Sequence, residues 1–211
     1  MKKDEILKYF GHPFSDHNGN TWKSPYMAAL IDARKVTARN TRTGKKLNKE
    51  HGCWLGALGY MALIDHVGGI IKLKNEDKDD NEFLSALKYF TNLNDKQRKA
   101  LYALRCSFAH NYHLYNVNKK EMDKTHHFTV TSGSKSNDVV IFPEKQWDGD
   151  HKTKGDQNKT IINLELFGDL VEEMHNEIIR KIKSDSVEII NDILINTYII
   201  YQDPQAIGKT L

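Results

Sequence analysis

The longest apolar stretch of the 211-residue chain runs from Cys53 to Ile64, and it constrains the fold more than any other segment. Asp65 and His66 end it, so it is too short to cross a bilayer, which takes about 20 apolar residues. Over 48–72, apolar side chains cover most of a helical circumference, as expected of a helix in the middle of a core. We therefore predict a central buried helix and no membrane partner.

Composition favours a globular protein of the cytoplasm. Hydrophobic residues make up 39% and charged residues 28%, which is typical of a soluble folded chain. Asp4 and Glu5 interrupt the N-terminus where an export signal needs an apolar run. The two cysteines, Cys53 and Cys106, form neither a disulfide framework nor a CxxC pair, so we expect a reducing, cytoplasmic setting.

Helical periodicity recurs along most of the chain. Besides 48–72, it predicts helices over about 3–9, 25–37, 83–90, 95–115, 164–182 and 186–201. Two β-type runs, at 127–131 and 139–142, predict an inserted hairpin. The expected fold is mainly α: residues 1–46 form a helical and basic appendage, and residues 47–211 form a helical bundle with a β-hairpin insertion near 127–142. Gly52, Gly56 and Gly59 share one stripe of the central helix and predict close approach of a second helix.

A basic segment precedes the central helix. Residues 34–49 contain seven basic residues and no acidic one. The first interpretation is a solvated basic loop. The second is a phosphate-contacting arm, with RNA as partner and contacts from Arg39, Arg42, Lys45 and Lys46.

The helix predicted over 95–115 carries Arg105, His110 and Tyr112 among apolar residues. Core helices usually exclude arginine and histidine unless these are paired or functional. With six arginines, ten histidines and nine tyrosines in the chain, the spacing Arg-x4-His-x-Tyr arises by chance in about one such chain in a hundred.

This spacing resembles the motif of the HEPN superfamily, small and usually dimeric helical-bundle domains whose late helix carries Arg-x4–6-His. Arg105 and His110 match that motif. Tyr112 matches the extended form found in toxins that are paired with small nucleotidyltransferase antitoxins. The resemblance covers about Leu47–Tyr115 and the later helices, and it leaves out the N-terminal segment and the hairpin.

The resemblance implies a metal-independent endoribonuclease of defence or toxin type, with no cofactor, that cleaves single-stranded RNA. His110 is suited to general acid–base catalysis and Arg105 to stabilising charge on the phosphate, while the RNA 2′-OH supplies the nucleophile. Tyr112 would be the site at which an antitoxin silences the protein. Cys106 departs from the family, because many catalytic members carry a polar residue directly after the arginine.

Helical geometry separates the catalytic candidates. On an ideal helix Arg105 and His110 point about 140° apart, whereas Arg105 and Tyr112 lie within about 20° of each other. Two motif helices that face each other across a two-fold axis would bring two histidines and two arginines to one cleft. We therefore predict a homodimer for the active protein.

Two other functions remain open on the sequence. The chain could be a non-catalytic module that binds nucleic acid or a protein, or a structural protein in which Arg105 and His110 only satisfy buried groups. Asp65 and His66 either support the motif residues or mark the exposed end of the central helix. His110, His113, His126 and His127 suggest a metal, but no cysteine or carboxylate completes a ligand set, so none is predicted.

Overall fold

The computed structural model describes residues 3–15, 21–47, 53–77, 81–132, 136–192 and 199–201; for Cys53, His110, Asn111 and 199–201 it describes the backbone only. These ranges contain six α-helices and nine strands. In chain order they are α1 (Lys3–Phe10), β1 (Phe14–Ser15), β2 (Thr21–Lys23), α2 (Pro25–Val36), α3 (Cys53–Ile70), β3 (Ile71–Leu73), α4 (Glu82–Phe90), α5 (Asp95–Asn111), β4 (Tyr115–Asn116), β5 (His126–Thr131), β6 (Val140–Ile141), β7 (Thr160–Asn163), α6 (Leu164–Lys183), β8 (Val187–Ile189) and β9 (Ile199–Tyr201).

The fold is mixed α/β, so the expectation of a mainly α bundle is wrong. The described strands form three sheets, with strand orders β1-β2-β9, β3-β8 and β4-β5-β7-β6. The first two sheets are antiparallel, whereas the third is mixed because β5 and β7 run parallel. The error arose because most of these strands have only two to four residues, too few for a period-2 pattern to be recognised.

The predicted hairpin near 127–142 is also wrong, although both of its strands exist. β7 lies between β5 and β6 and pairs with each, parallel to β5 and antiparallel to β6. A hydrophobic pattern can locate a strand, but it does not identify a partner that is distant in the sequence. The buried Ile162 of β7 is paired with both Val130 and Val140, and this pairing holds the sheet together.

The helix predicted over 186–201 is wrong as well. Val187–Ile189 forms β8 and pairs with β3, and Ile199–Tyr201 forms β9 and pairs with β2; residues 193–198 lie outside the described part. β-Branched residues dominate both strands, and such side chains fit a pleated sheet better than a helix. The high overall hydrophobicity of residues 186–201 does not distinguish a buried helix from buried strands.

Two helices begin at residues whose types favour a helix start. The Ser24 hydroxyl accepts a hydrogen bond from the Met27 amide at 3.1 Å, with Pro25 as the first helical residue of α2. At α5, Asn94 and Gln97 form a reciprocal capping box. These local bonds satisfy amides that the first helical turn leaves without partners, so the helix begins where the sequence predicts.

The central helix α3 packs closely against α2. A Cβ atom added at Gly56 would lie 2.1 Å from the Thr37 side chain, and one at Gly59 would lie 3.3 Å from Ala33. The predicted close approach is therefore confirmed at these two positions, while Gly52 lies outside the described residues. Among the residues that the structure describes, no helix combines the length and apolarity that crossing a membrane requires.

A buried ion pair joins α2 to α6. The guanidinium of Arg34 is 2% exposed; its Nε donates to Glu172 Oε1 at 2.9 Å and its Nη2 to Oε2 at 2.6 Å. Arg34 Nη1 also donates to the Thr41 carbonyl at 2.9 Å, and the Tyr60 hydroxyl donates to Glu172 at 3.2 Å. The pair therefore links α2, α3, α6 and the turn after α2.

A stack of alternating tyrosine and histidine rings lies beside this pair. Tyr9, His66, Tyr26 and His175 follow one another at centroid distances of 5.9, 6.5 and 5.7 Å. Hydrogen bonds join Tyr9 to His66 and Tyr26 to His175. Burial is the main cause that lowers the pKa of His175 to about 4, and the nearby Arg34 adds to it.

We predict that Glu172→Gln lowers the free energy of unfolding by about 3–5 kcal/mol, because it leaves the buried Arg34 charge without its counter-charge. Urea denaturation provides the measurement. As a control, Asp32→Asn breaks the exposed pair between Asp32 and Lys35 and should cost less than about 0.5 kcal/mol. Equal losses for the two variants would contradict the assignment.

We also predict that His175 makes the protein less stable in acid. The unfolded chain takes up a proton at this side chain as the pH falls from about 6.5 to about 4, and the folded protein does not. The free energy of unfolding should therefore fall across that window by up to about 3 kcal/mol from this group. His175→Gln should have a flatter pH dependence than the wild type; identical slopes would refute the prediction.

Candidate functional site

Arg105 lies in the second half of α5 and turns towards α3. Its side chain is 27% exposed, and its Nε donates to Asp65 Oδ2 at 2.7 Å. Asp65 therefore supports the motif arginine across the helix pair, while its neighbour His66 bonds to Tyr9 of α1. Of the two interpretations that the sequence left open for Asp65, the structure favours the supporting role.

The electrostatics around Arg105 keep it charged. Partial burial acts to lower the pKa of Arg105, but the hydrogen bond and the charge of Asp65 outweigh it and raise the pKa. Cys106 interacts with both Arg105 and Tyr102, and its hydrogen bond is the main cause that raises the pKa of Tyr102. The residue that departs from the family pattern is therefore in contact with the motif arginine.

The helix ends earlier than predicted, at Asn111 instead of residue 115. Tyr112 follows with φ 53° and ψ 27°, the left-handed conformation that commonly terminates helices. Its ring is 69% exposed and lies edge-on to Phe108 at 6.0 Å. The expected 20° alignment of Arg105 with Tyr112 assumes an ideal helix, and Tyr112 lies beyond the end of that helix. His110 lies in the last turn of α5, and its side chain is outside the described part.

Within the described part of the basic segment, three residues pair with acidic residues of α6. Arg34 contacts Glu172, Arg39 contacts Asp169, and Lys46 contacts Glu165. The acidic residues are spaced by four and three positions, so they lie on one face of α6. That spacing is a sequence signal for an acidic face on α6, but it does not identify the basic partners.

Arg39, like Arg34, is held by several hydrogen bonds. It is buried, and its Nη1 donates to Asp169 Oδ1 at 2.6 Å and to the Gly44 carbonyl at 3.2 Å, while its Nη2 donates to the Glu165 carbonyl at 2.9 Å. These bonds shape the turn that follows α2. The side chains of Arg42 and Lys45 are exposed on this turn.

The turn and the end of α5 flank the same end of α3. Two small cavities beside α3 share Ala57 and Leu164: one is also lined by Arg39 and Lys46, the other by Trp54 and Phe108. Trp54 packs on Phe108 at 4.6 Å, and Phe108 contacts Tyr112. Ala57 and Leu164 therefore lie between the basic residues Arg39 and Lys46 on one side and the motif helix on the other.

The candidate metal ligands have other partners. His126 is buried and bonds to Thr160 at 2.9 Å, and His127 bonds to Asn158 at 2.6 Å. Within the part of the chain that the structure describes, no three histidine, cysteine or acidic side chains come together in a way that could hold a metal ion. No protein-family model, curated protein or solved structure matches this chain.

We predict that Arg105→Gln lowers the free energy of unfolding by only about 1 kcal/mol, because the pair with Asp65 is partly exposed to solvent. Thermal and urea denaturation measure the change, with Glu172→Gln as the buried-pair reference. A loss of 3 kcal/mol or more would instead identify Arg105 as a purely structural residue.

Proposed function

We propose that the protein is a metal-independent endoribonuclease of the HEPN type that binds single-stranded RNA at the C-terminal end of α5. One observation carries the proposal: the motif arginine is a partly exposed, fully charged group held by Asp65, about two turns before an exposed Tyr112. A purely structural role would favour burial of both side chains, as at Arg34.

The chemistry of the proposal follows from the residue types. His110 exchanges protons with the 2′-OH nucleophile or the 5′-oxygen leaving group, since its ordinary pKa lies near neutrality. Arg105 stabilises the negative charge that builds on the phosphate in the transition state. Asp65 is a positioning residue, because its bond to Nε sets the direction of the Arg105 side chain.

RNA reaches this end of the protein along the exposed cations of the turn. Of the four predicted RNA contacts, Arg42 and Lys45 are exposed and form no ion pair with any described residue. Arg39 and Lys46 instead attach the turn to α6, so in this proposal they hold the turn in place and do not contact RNA themselves. We place the activity in the cytoplasm, where RNA is abundant; Cys106 forms no disulfide.

The proposed active form is a homodimer. On an ideal helix the positions of Arg105 and His110 are about 140° apart, so in this proposal a second copy completes the cleft. The start of α3 offers a contact surface beside the motif helix, since Trp54 is 44% and Leu55 is 69% exposed. Tyr112 remains accessible in the single chain, which suits modification by a separate nucleotidyltransferase antitoxin.

A second candidate is an RNA-binding module without catalysis. The contact between Cys106 and Arg105 favours it, because the resembled enzymes often carry a polar residue at that position. Such a module would retain RNA and release it as salt is added, with no turnover.

We expect the purified protein to cleave a single-stranded RNA in EDTA and to leave cyclic phosphate ends. His110→Ala should lower the rate at least a hundredfold, as removal of a general acid–base group does. His12→Ala, at an exposed histidine of the N-terminal segment, is the matched control and should cleave like the wild type. RNA binding without cleavage would select the second candidate, and full activity of His110→Ala would refute the role of that residue.

A further inference from the structure

A cluster of aromatic and basic side chains lies directly after the motif helix. The His113 ring stacks on Tyr115 at 5.1 Å with an interplanar angle of 15°, and His151 meets Tyr115 edge-on at 4.7 Å. Lys154 Nζ lies 4.2 Å from the centroid of Tyr115. We call these four residues the stacking platform.

The platform rests on a rigid base. Trp147 is fully buried beneath it, and its indole N–H donates to the Asp150 carbonyl at 2.9 Å. Trp147 meets His151 at 5.8 Å, and Lys154 Nζ lies 5.2 Å from the Trp147 ring. Because Trp147 fixes the segment that carries His151 and Lys154, the rings of the platform keep their positions without a ligand.

The outer ring of the platform faces solvent. His113 is exposed, whereas Tyr115 is half-buried between His113, His151 and Lys154. The stack therefore ends in an aromatic ring that is accessible to solvent. An unpaired nucleobase is the ligand that extends such a stack, since histidine and tyrosine are common stacking partners of splayed RNA bases.

The charge around the platform suits a phosphate backbone. Lys154 of the platform and its neighbour Lys152 are both exposed. The acidic neighbours are engaged in their own turn: Asp148 Oδ1 accepts from the Thr153 hydroxyl at 2.6 Å, and Asp150 Oδ1 accepts from the Lys152 amide at 2.9 Å. Exposed cations next to an open ring match the combination found in single-strand binding surfaces.

Chain connectivity places the platform next to the proposed catalytic position. His113 follows His110 by three residues, so their backbones lie within about 11 Å of each other. We propose that the stacking platform binds one unpaired base of single-stranded RNA beside the scissile bond, with His113 as the residue in contact. The position of the scissile bond in this inference rests on the proposed function. The stacking surface itself rests on the ring geometry.

Binding is tested with a probe that cannot be cleaved. A fluorescein-labelled 2′-O-methyl oligoadenylate lacks the 2′-OH nucleophile, so the protein cannot cleave it by the proposed reaction. The fluorescence anisotropy of this probe therefore reports binding without cleavage. We expect His113→Ala to weaken binding about tenfold, the loss typical of one stacked base. His113→Phe keeps a stacking ring and should bind like the wild type, as should the control His12→Ala.

Two results would overturn the platform: unchanged binding by His113→Ala, or equally tight binding of a blunt RNA duplex of the same length. Lys154→Ala should weaken binding and reduce its salt dependence by about one counter-ion. The melting temperature of the His113 variants should stay unchanged because the side chain is exposed.

The failures of the two proposals are distinguishable. If the wild type binds the 2′-O-methyl probe through His113 but never cleaves ordinary RNA, the catalytic proposal fails and the platform stands. If the wild type cleaves RNA while His113→Ala binds the probe as tightly, the platform fails and the catalytic proposal stands.

Discussion

The buried pair of Arg34 and Glu172 is the interaction on which the rest of the arrangement depends. It joins α2 to α6 across the face of α3, and the same guanidinium holds the carbonyl of Thr41. A charge buried this deeply is tolerated only when every donor has a partner, so these elements take one relative position. The turn after α2, with its exposed cations, follows from that position.

The sequence predicted helices well and strands poorly, for physical reasons. A helix can be recognised from the local spacing of its apolar residues and from its capping residues, such as Ser24 and the pair Asn94 and Gln97. The strands are short, and their partners are distant in the chain, as for Phe128 of β5 opposite Thr160 of β7. Local pattern contains no information on such pairing, so the hairpin and the last helix were both wrong.

In the candidate site too, some features could be predicted from local sequence and others could not. The sequence pattern drew attention to Arg105 and left two interpretations for Asp65, support of the motif residues or the exposed end of the central helix; the ion pair with Arg105 favours the first. It did not predict that the helix ends before Tyr112, which depends on a left-handed residue that is not glycine. The stacking platform joins residues 113–115 to residues 147–154, which no periodicity connects. The density of histidine and aromatic residues in both segments was the available signal.

In the proposed function, the basic segment builds the fold and presents Arg42 and Lys45 to RNA, and the end of α5 contacts the RNA. Ultraviolet crosslinking of the full-length protein to single-stranded RNA, followed by peptide mass spectrometry, tests it most directly. The account predicts adducts on Tyr112, His113 or Tyr115. Adducts confined to other surfaces, such as the groove between α4 and α6 that Arg180 and Lys181 line, would contradict it.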